Sequence, residues 1–259
     1  MKSEPNITGL HVGTLGADDC HIWCADLSAS IGKLPLWKQS LSASERTRAA
    51  RFYFSKDRRA YAARHGILRQ ILAGYLAIRP GEVRLVDDAN GKPRIDPSAN
   101  ETDLRFSLAR SAHVAVLAIV RHCDVGVDVE RVRDMPDWEL VAQWAFSQRE
   151  LRVLDDLPAE QRPYAFFRGW TRKEALLKCR GDGILSGTRR AEVCLDSSDS
   201  PCLNGRNLPG CWDLRDFVPE PGFAAAVAIE RAKARLVCRT WMDTNGAPFG
   251  DATGPNNLN

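Results

Sequence analysis

The sequence predicts an α+β protein built as two similar lobes. Three observations predict it. Each half of the 259-residue chain reads as a strand, then helices, then further strands. Hydrophobic residues make up 44%, enough at this length for a sizeable core in one or two domains. No apolar run approaches the roughly 18 to 20 residues that would span a bilayer.

The elements follow in order. Residues 18–27 alternate as a strand. A helical stretch over 34–50 and a longer helix over 56–78 come next, the second ending before Pro80. "GKPR" at 91–94 is a turn. Residues 103–120 read as two strands joined tightly, the second apolar enough to be buried on both faces, and a strand over 125–132 follows. Helices are expected over 137–145, 147–155 and 160–180, with Gly181 and Gly183 supplying a stop. Strands are expected over 191–196, 211–218, 222–230 and 234–242. We divide the chain into a lobe over 1–120, a lobe over 121–242 and a tail over 243–259, whose Gly, Pro, Asn and Asp content predicts disorder.

The N-terminus, "MKSEPNITGL", has no apolar targeting region, so a cytoplasmic, membrane-free protein is expected. Eight cysteines are scattered without a C-x-x-C pair, which predicts reduced thiols. Cys20, His21 and Cys24 sit in a strand-like alternation with no second ligand pair, which argues against zinc.

Net charge is only +3, but it is unevenly placed. Residues 45–70 hold eight Lys/Arg against Glu45 and Asp57, whereas residues 124–160 hold ten acids against four arginines. A basic segment alone fits a solvated helix face or a nucleic-acid patch. Beside an acidic strand it fits a phosphate site with a metal.

That acidic strand is "GVDVERV", 126–132. Strand side chains alternate, so Val125, Val127 and Val129 share one face while Asp124, Gly126, Asp128 and Glu130 share the other. Like charges side by side raise each other's pKa unless a cation lies among them. The face fits either a half-solvated edge or a shared cation. On a helix through "FFRGWTRKEALLK", 166–178, Glu174 falls inside an arc of about 120° with Phe166, Phe167, Trp170, Leu177 and Lys178. A solvated i,i+4 pair with Lys178 is one description. The other is a carboxylate among core aromatics, which requires a charged partner. Asp128, Glu130 and Glu174 together offer the hard oxygen ligands of one Mg²⁺ or Mn²⁺, with Gly126 leaving room for a bulky anion.

G-x-D-x-E at Gly126, Asp128 and Glu130, followed some forty residues later by W-x-x-K-E-A-x-x-K at Trp170, Lys173, Glu174, Ala175 and Lys178, resembles the signature pair of the 4′-phosphopantetheinyl transferases. "ARFYFSKDRRAYAARHGILRQIL" at 50–72 is similar to that family's basic helix, "GKPR" to its Gly-Lys-Pro turn, and Gly181-Asp182-Gly183 to the glycines after its second motif. The resemblance covers about residues 45–230, and the length is similar to the monomeric Sfp type.

The resemblance implies transfer of 4′-phosphopantetheine from coenzyme A to a serine of an apo acyl or peptidyl carrier protein, releasing adenosine 3′,5′-bisphosphate. It implies an α+β pseudo-dimer of two similar lobes, with coenzyme A and Mg²⁺ at their interface. Asp128, Glu130 and Glu174 match the metal ligands. Lys178 matches a lysine that acts on the serine proton or on diphosphate charge, and Arg48, Arg64 and Lys92 match positions that clamp the nucleotide. One departure stands out: "FSLARS" at 106–111 places Ala109 and Arg110 where the family shows the Ser and His of Ser-His-Ser. Arg110, expected at a tight turn after the preceding strand, can replace the histidine on the 3′-phosphate because its planar fork binds phosphate bidentately.

Two rivals fit less well. A metal-dependent phosphodiesterase of the D…(D/E)-x-K kind fails on spacing, since Val132 stands two after Glu130 and Lys178 four after Glu174. A nucleic-acid module through residues 45–70 would bind in a strongly salt-dependent way. The carrier itself is not legible: fatty acid, polyketide, nonribosomal peptide and lysine-biosynthesis carriers all remain open.

Overall fold

The computed structural model describes residues 10, 12–28, 34–181, 191–195 and 211–241. Its elements are β1 (Asp19–Asp26), α1 (Leu34–Ser40), α2 (Ala43–Ala50), α3 (Ser55–Leu76), β2 (Leu85–Asp87), β3 (Pro93–Ile95), β4 (Leu104–Ser111), β5 (Val114–Arg121), β6 (Val125–Arg131), α4 (Trp138–Ala145), α5 (Gln148–Asp156), α6 (Arg162–Arg180), β7 (Asp213–Phe217), β8 (Phe223–Ile229) and β9 (Arg235–Thr240).

Two sheets face each other, each backed by one long helix. The first has strand order β4-β5-β1-β9 and the second β6-β8-β7, with β2 and β3 forming a separate hairpin. Alternation along β5 explains the layering. Val114, Val116, Ala118 and Val120 meet Val125, Val127 and Val129 of β6 and Val227 of β8 in a core between the sheets. Ala115, Leu117 and Ile119 point the other way, onto Ile67, Leu68, Ile71 and Leu72 of α3. On the far side, Ala224, Ala226 and Ala228 of β8 carry α6 through Ala175, Leu176 and Cys179. β5 is therefore apolar from Val114 to Val120 because both of its faces are covered. This is the α+β arrangement of two similar lobes that the sequence predicts.

Several boundaries differ from expectation, each for a local reason. The stretch 34–50 is two helices, because Ser42 accepts from the Glu45 amide (3.2 Å) while its own amide donates to Glu45 Oε2 (2.8 Å). That capping box starts α2 afresh. β9, which we assigned to the lobe over 121–242, returns instead to pair parallel with β1 in the first sheet. Of the strand expected at 191–196, the described residues hold only an isolated bridge at Val193. Gly183 and the tail over 243–259 lie outside the described residues. Gly181 ends α6 in the left-handed region, φ 75°, as a helix stop should. Among the described residues no helix is long and apolar enough to cross a membrane, and Cys20 and Cys24 are buried between the sheets.

Candidate active site

The acidic face of β6 is covered, not solvated, and glycine explains how. A Cβ at Gly126 would stand 1.9 Å from the Ala175 carbonyl oxygen and 2.3 Å from the Cys179 amide nitrogen. Only a residue without a side chain lets α6 lie this close to β6. Gly126 thus serves helix packing, which corrects the expectation that it makes room for an anion. The close approach sets Glu174 of α6 against Asp128 of β6.

Asp128 and Glu174 are 6% and 5% exposed. Asp128 Oδ2 and Glu174 Oε1 are buried without a hydrogen-bond partner. Lys178 Nζ donates to Asp128 Oδ1 at 2.6 Å and to the Val127 carbonyl at 3.4 Å, so Lys178 reaches across to the strand rather than forming the solvated pair along its own helix. Burial pushes the Asp128 carboxyl up to about 7; Lys178 opposes this, while Glu174 and Glu130 add to it. Burial also raises Glu174, with Lys178 opposing and Glu130 adding. Glu130, at the open end of the row, accepts from Ser111 Oγ at 2.7 Å.

Buried, mutually repelling carboxylates with orphaned oxygens are unfavourable unless a cation joins them. The donor set is all oxygen, as Mg²⁺ or Mn²⁺ prefers, so these residues fit a divalent ion. Among the described residues no three acidic, histidine or cysteine side chains already stand as a closed metal cluster.

A cavity of about 240 Å³ opens beside this row, lined by Lys92 of the β2–β3 hairpin, Phe106, Ser107 and Leu108 of β4, and Glu174, Leu177 and Lys178 of α6. The hairpin is anchored by Asn90 Nδ2 donating to the Gly181 carbonyl at 2.8 Å and by Lys92 Nζ donating to the Val125 and Cys179 carbonyls at 3.0 and 3.4 Å. Arg94 and Arg105 both pair with Asp124 at the start of β6, at 2.8 and 3.2 Å. The hairpin and β4 are thereby tied to the second lobe.

The arginines lie further along the same strand face. Leu104, Phe106, Leu108 and Arg110 share the β4 face turned towards α3, and only Arg110, at its end, is exposed. Arg110 lies within β4, opposite Ala115 of β5, and the turn comes only at Ala112 and His113, which corrects its expected place at a turn. It follows Leu108 by one strand repeat, about 7 Å. Arg110, Arg64 of α3 and Arg48 of α2 form one cationic cluster. Burial lowers the Arg64 pKa first, and the charges of Arg110 and Arg48 lower it further. Arg64 Nε is buried with no hydrogen-bond partner. The neighbouring acid, Glu45, is taken by Arg69 at 2.6 Å and His65 at 3.2 Å.

The sequence did not single out the roles of Ser107 and Ser111. Their hydroxyls accept from the Val127 and Arg131 amides at 3.1 and 3.0 Å. Ala109 lies between them on the same face, packed in the core between the sheets. The missing family serine is therefore a feature of the seam between lobes and stands opposite the face that carries Arg110. Period-two spacing of Ser107, Ala109 and Ser111 was the signal available. Lys173 is 1% exposed and pairs with Glu150 at 2.8 Å, a buried structural pair away from the cavity.

Comparison with known proteins agrees with this geometry. A family profile described as the 4′-phosphopantetheinyl transferase superfamily matches residues 124–228, and one described as 4′-phosphopantetheinyl transferase, N-terminal, matches residues 29–122. The chain is 38% identical over 229 residues to the 4′-phosphopantetheinyl transferase HetI of a Nostoc species, covering 88% of this chain and 92% of that protein. It is 29% identical to the 4′-phosphopantetheinyl transferase psf-1 of Bacillus pumilus, covering 76% and 82%. It is 26% identical to the human L-aminoadipate-semialdehyde dehydrogenase-phosphopantetheinyl transferase, covering 61% and 53%. The two-lobed fold, the paired acidic motifs brought together across Gly126 and this similarity over most of the chain lead to one conclusion: the protein belongs to the 4′-phosphopantetheinyl transferase superfamily.

Proposed function

We propose that the cavity between the lobes binds coenzyme A and that the acidic row at its end carries transfer of the 4′-phosphopantetheine arm to a serine of an apo acyl or peptidyl carrier protein. The observation that carries this is the pair of orphaned buried oxygens, Asp128 Oδ2 and Glu174 Oε1, beside Lys178 at one end of a cavity whose strand face continues to three arginines.

In this reading the nucleotide lies along β4. Arg110, Arg64 and Arg48 hold its phosphate end, and Lys92 closes the wall beside the hairpin. Asp128, Glu130 and Glu174 would hold Mg²⁺ or Mn²⁺, which when bound supplies charge neutralisation and Lewis-acid polarisation at the diphosphate. The serine hydroxyl gives up its proton to water as its oxygen bonds to the phosphorus bearing the pantetheine arm, the bond from that phosphorus to the bridging oxygen breaks, and adenosine 3′,5′-bisphosphate leaves with that electron pair. Lys178, paired with Asp128, is placed to donate hydrogen bonds to the diphosphate and so stabilise its charge. Leu177, Phe106 and Leu108 keep that wall of the cavity apolar. We further place the reaction in the cytoplasm, with a monomeric enzyme.

Incubation of the pure protein with coenzyme A, Mg²⁺ and a panel of apo carriers, read by mass spectrometry of the carriers, tests the reading. A carrier should gain the mass of the phosphopantetheine arm, and excess EDTA should stop it. No gain on any carrier, or full activity in EDTA, would count against it.

A further inference from the structure

We infer that Ser111, on the first lobe, is a positioning residue that aims the Glu130 carboxylate of the second lobe at the metal. The inference rests on the metal-dependent reading above.

β6 forms the edge of its own sheet, and its outer side is met by side chains of β4 instead of another strand ladder. Ser107 and Ser111 stand four residues apart on one face of β4, and their hydroxyls accept from the Val127 and Arg131 amides, also four apart. Both serines therefore replace a ladder hydrogen bond, and both should matter to the seam between lobes. Ser111 alone does more. A hydroxyl has one proton to give, and a backbone amide can only donate. The Ser111 proton is therefore free of the Arg131 amide, and it points at Glu130 Oε2, 2.7 Å away. The amide can only donate, so the hydroxyl keeps its own proton for the carboxylate and the direction of both hydrogen bonds follows.

The consequence falls on Glu130. Its side chain is 27% exposed, and among the described residues the cation paired with it is Arg133, whose Nη1 is 3.5 Å from the same Oε2 and whose own side chain is half exposed. Both contacts engage Oε2, which leaves Oε1 as the atom to turn towards Asp128 and Glu174. Without Ser111 the carboxylate would rest on a solvated arginine alone. Groups that orient metal-binding carboxylates typically change metal affinity by about 10- to 100-fold when removed.

The replacement of the family's first serine by Ala109 leaves this arrangement intact. Ala109 occupies the middle of the three positions on that face, and the residue that touches Glu130 is the retained serine.

The test compares Ser111→Ala, Ser107→Ala and Ser111→Thr in the full chain saturated with coenzyme A. Thermal midpoints are recorded, and Mn²⁺ binding is followed by EPR. Both alanine variants should lower the midpoint by a similar amount, since each removes one amide acceptor at the seam. Only Ser111→Ala should weaken Mn²⁺, by roughly tenfold or more. Ser107→Ala should stay within about twofold, and Ser111→Thr should restore most of the affinity. Equal Mn²⁺ penalties for the two alanine variants, or none for Ser111→Ala, would reduce Ser111 to a seam residue and overturn the inference while leaving the metal reading standing. Failure of the unaltered protein to bind Mn²⁺ would overturn both.

Discussion

The acidic end beside the cavity and the basic end formed by the arginine cluster beyond Leu108 are built on opposite principles. At the acidic end the charges are buried: Asp128 and Glu174 are nearly inaccessible, orphaned on one oxygen each, and forced together by a helix that approaches as closely as Gly126 allows. At the basic end Arg48 and Arg110 are exposed and only Arg64 is partly covered. Like charges destabilise the fold at both ends, but burial makes the acidic end far more costly. A site that must hold a small, hard cation in fixed geometry needs rigid ligands, whereas a phosphate can be met by long side chains that adjust. The comparison separates residues whose change should abolish chemistry from those whose change should only weaken binding.

The largest effects should come from the acidic end. Asp128→Asn, Glu130→Ala and Glu174→Gln should each remove most transfer, and double variants should lose little more than singles, because the three act as a unit. Multiplying losses would show that they do not share one ion. Asp128→Asn should also change stability with a definite sign. The folded carboxyl, near 7, holds its proton over a window in which the unfolded one, near 3.8, has lost it. Without metal, native stability therefore falls as pH rises between those values. Asp128→Asn should flatten that slope, giving a metal-free melting point that declines less than wild type between about pH 4 and pH 7. An unchanged slope would remove Asp128 as its source.

Gly126→Ala comes next. Its methyl group cannot share space with the Ala175 carbonyl and the Cys179 amide, so α6 must retreat. Transfer should fall by about one to two orders of magnitude, as expected when a catalytic constellation shifts by about 1 Å, and the melting point should fall with it. A variant as active and stable as wild type would mean that the close helix approach does not set the site.

Lys178→Met should lower kcat with only a modest change in coenzyme A affinity, since its ammonium stands at the reacting end. A pure KM effect would reassign it to ground-state binding. The smallest effect is remote from chemistry. Burial pushes the Glu45 carboxyl up, but hydrogen bonds from His65, the Ser42 amide and Arg69 prevail and hold it near 2, against 4.5 ordinarily. Its contribution, discounted for solvent screening of a half-buried group to on the order of 2 to 3 kcal/mol, is complete above about pH 4.5 and is lost as pH falls towards about 2. Glu45→Gln should lower the urea midpoint at neutral pH and converge with wild type in strong acid. A constant gap at every pH would contradict this.

The acidic end was the more legible of the two in the sequence. A strand's period of two placed Asp128 and Glu130 on one face, and a helix's period of 3.6 placed Glu174 on the core side, so only the glycine's job was misread. At the basic end Arg48 and Arg64 stood out as charge, but that they meet Arg110 depends on how α2 and α3 pack against β4, which local periodicity does not encode. The turn assigned to Arg110 failed because β4 continues through Arg110 to Ser111 before the chain reverses at Ala112 and His113. The return of β9 to β1 was illegible for a stronger reason: more than 200 residues separate the two strands, and nothing local in either names its partner. The capping box at Ser42 and Glu45, by contrast, was written in the sequence, and reading it would have divided the helix over 34–50.

The division of labour between the two ends is tested most directly by turnover of coenzyme A and of dephospho-coenzyme A, which lacks the 3′-phosphate, by wild type and Arg110→Ala. If the basic end holds that phosphate, the variant should raise KM for coenzyme A by roughly ten- to a hundredfold, about 1.4 to 2.8 kcal/mol. It should leave kcat and the use of dephospho-coenzyme A nearly unchanged. Equal penalties on both substrates, or a loss confined to kcat, would contradict the account by placing Arg110 away from the 3′-phosphate.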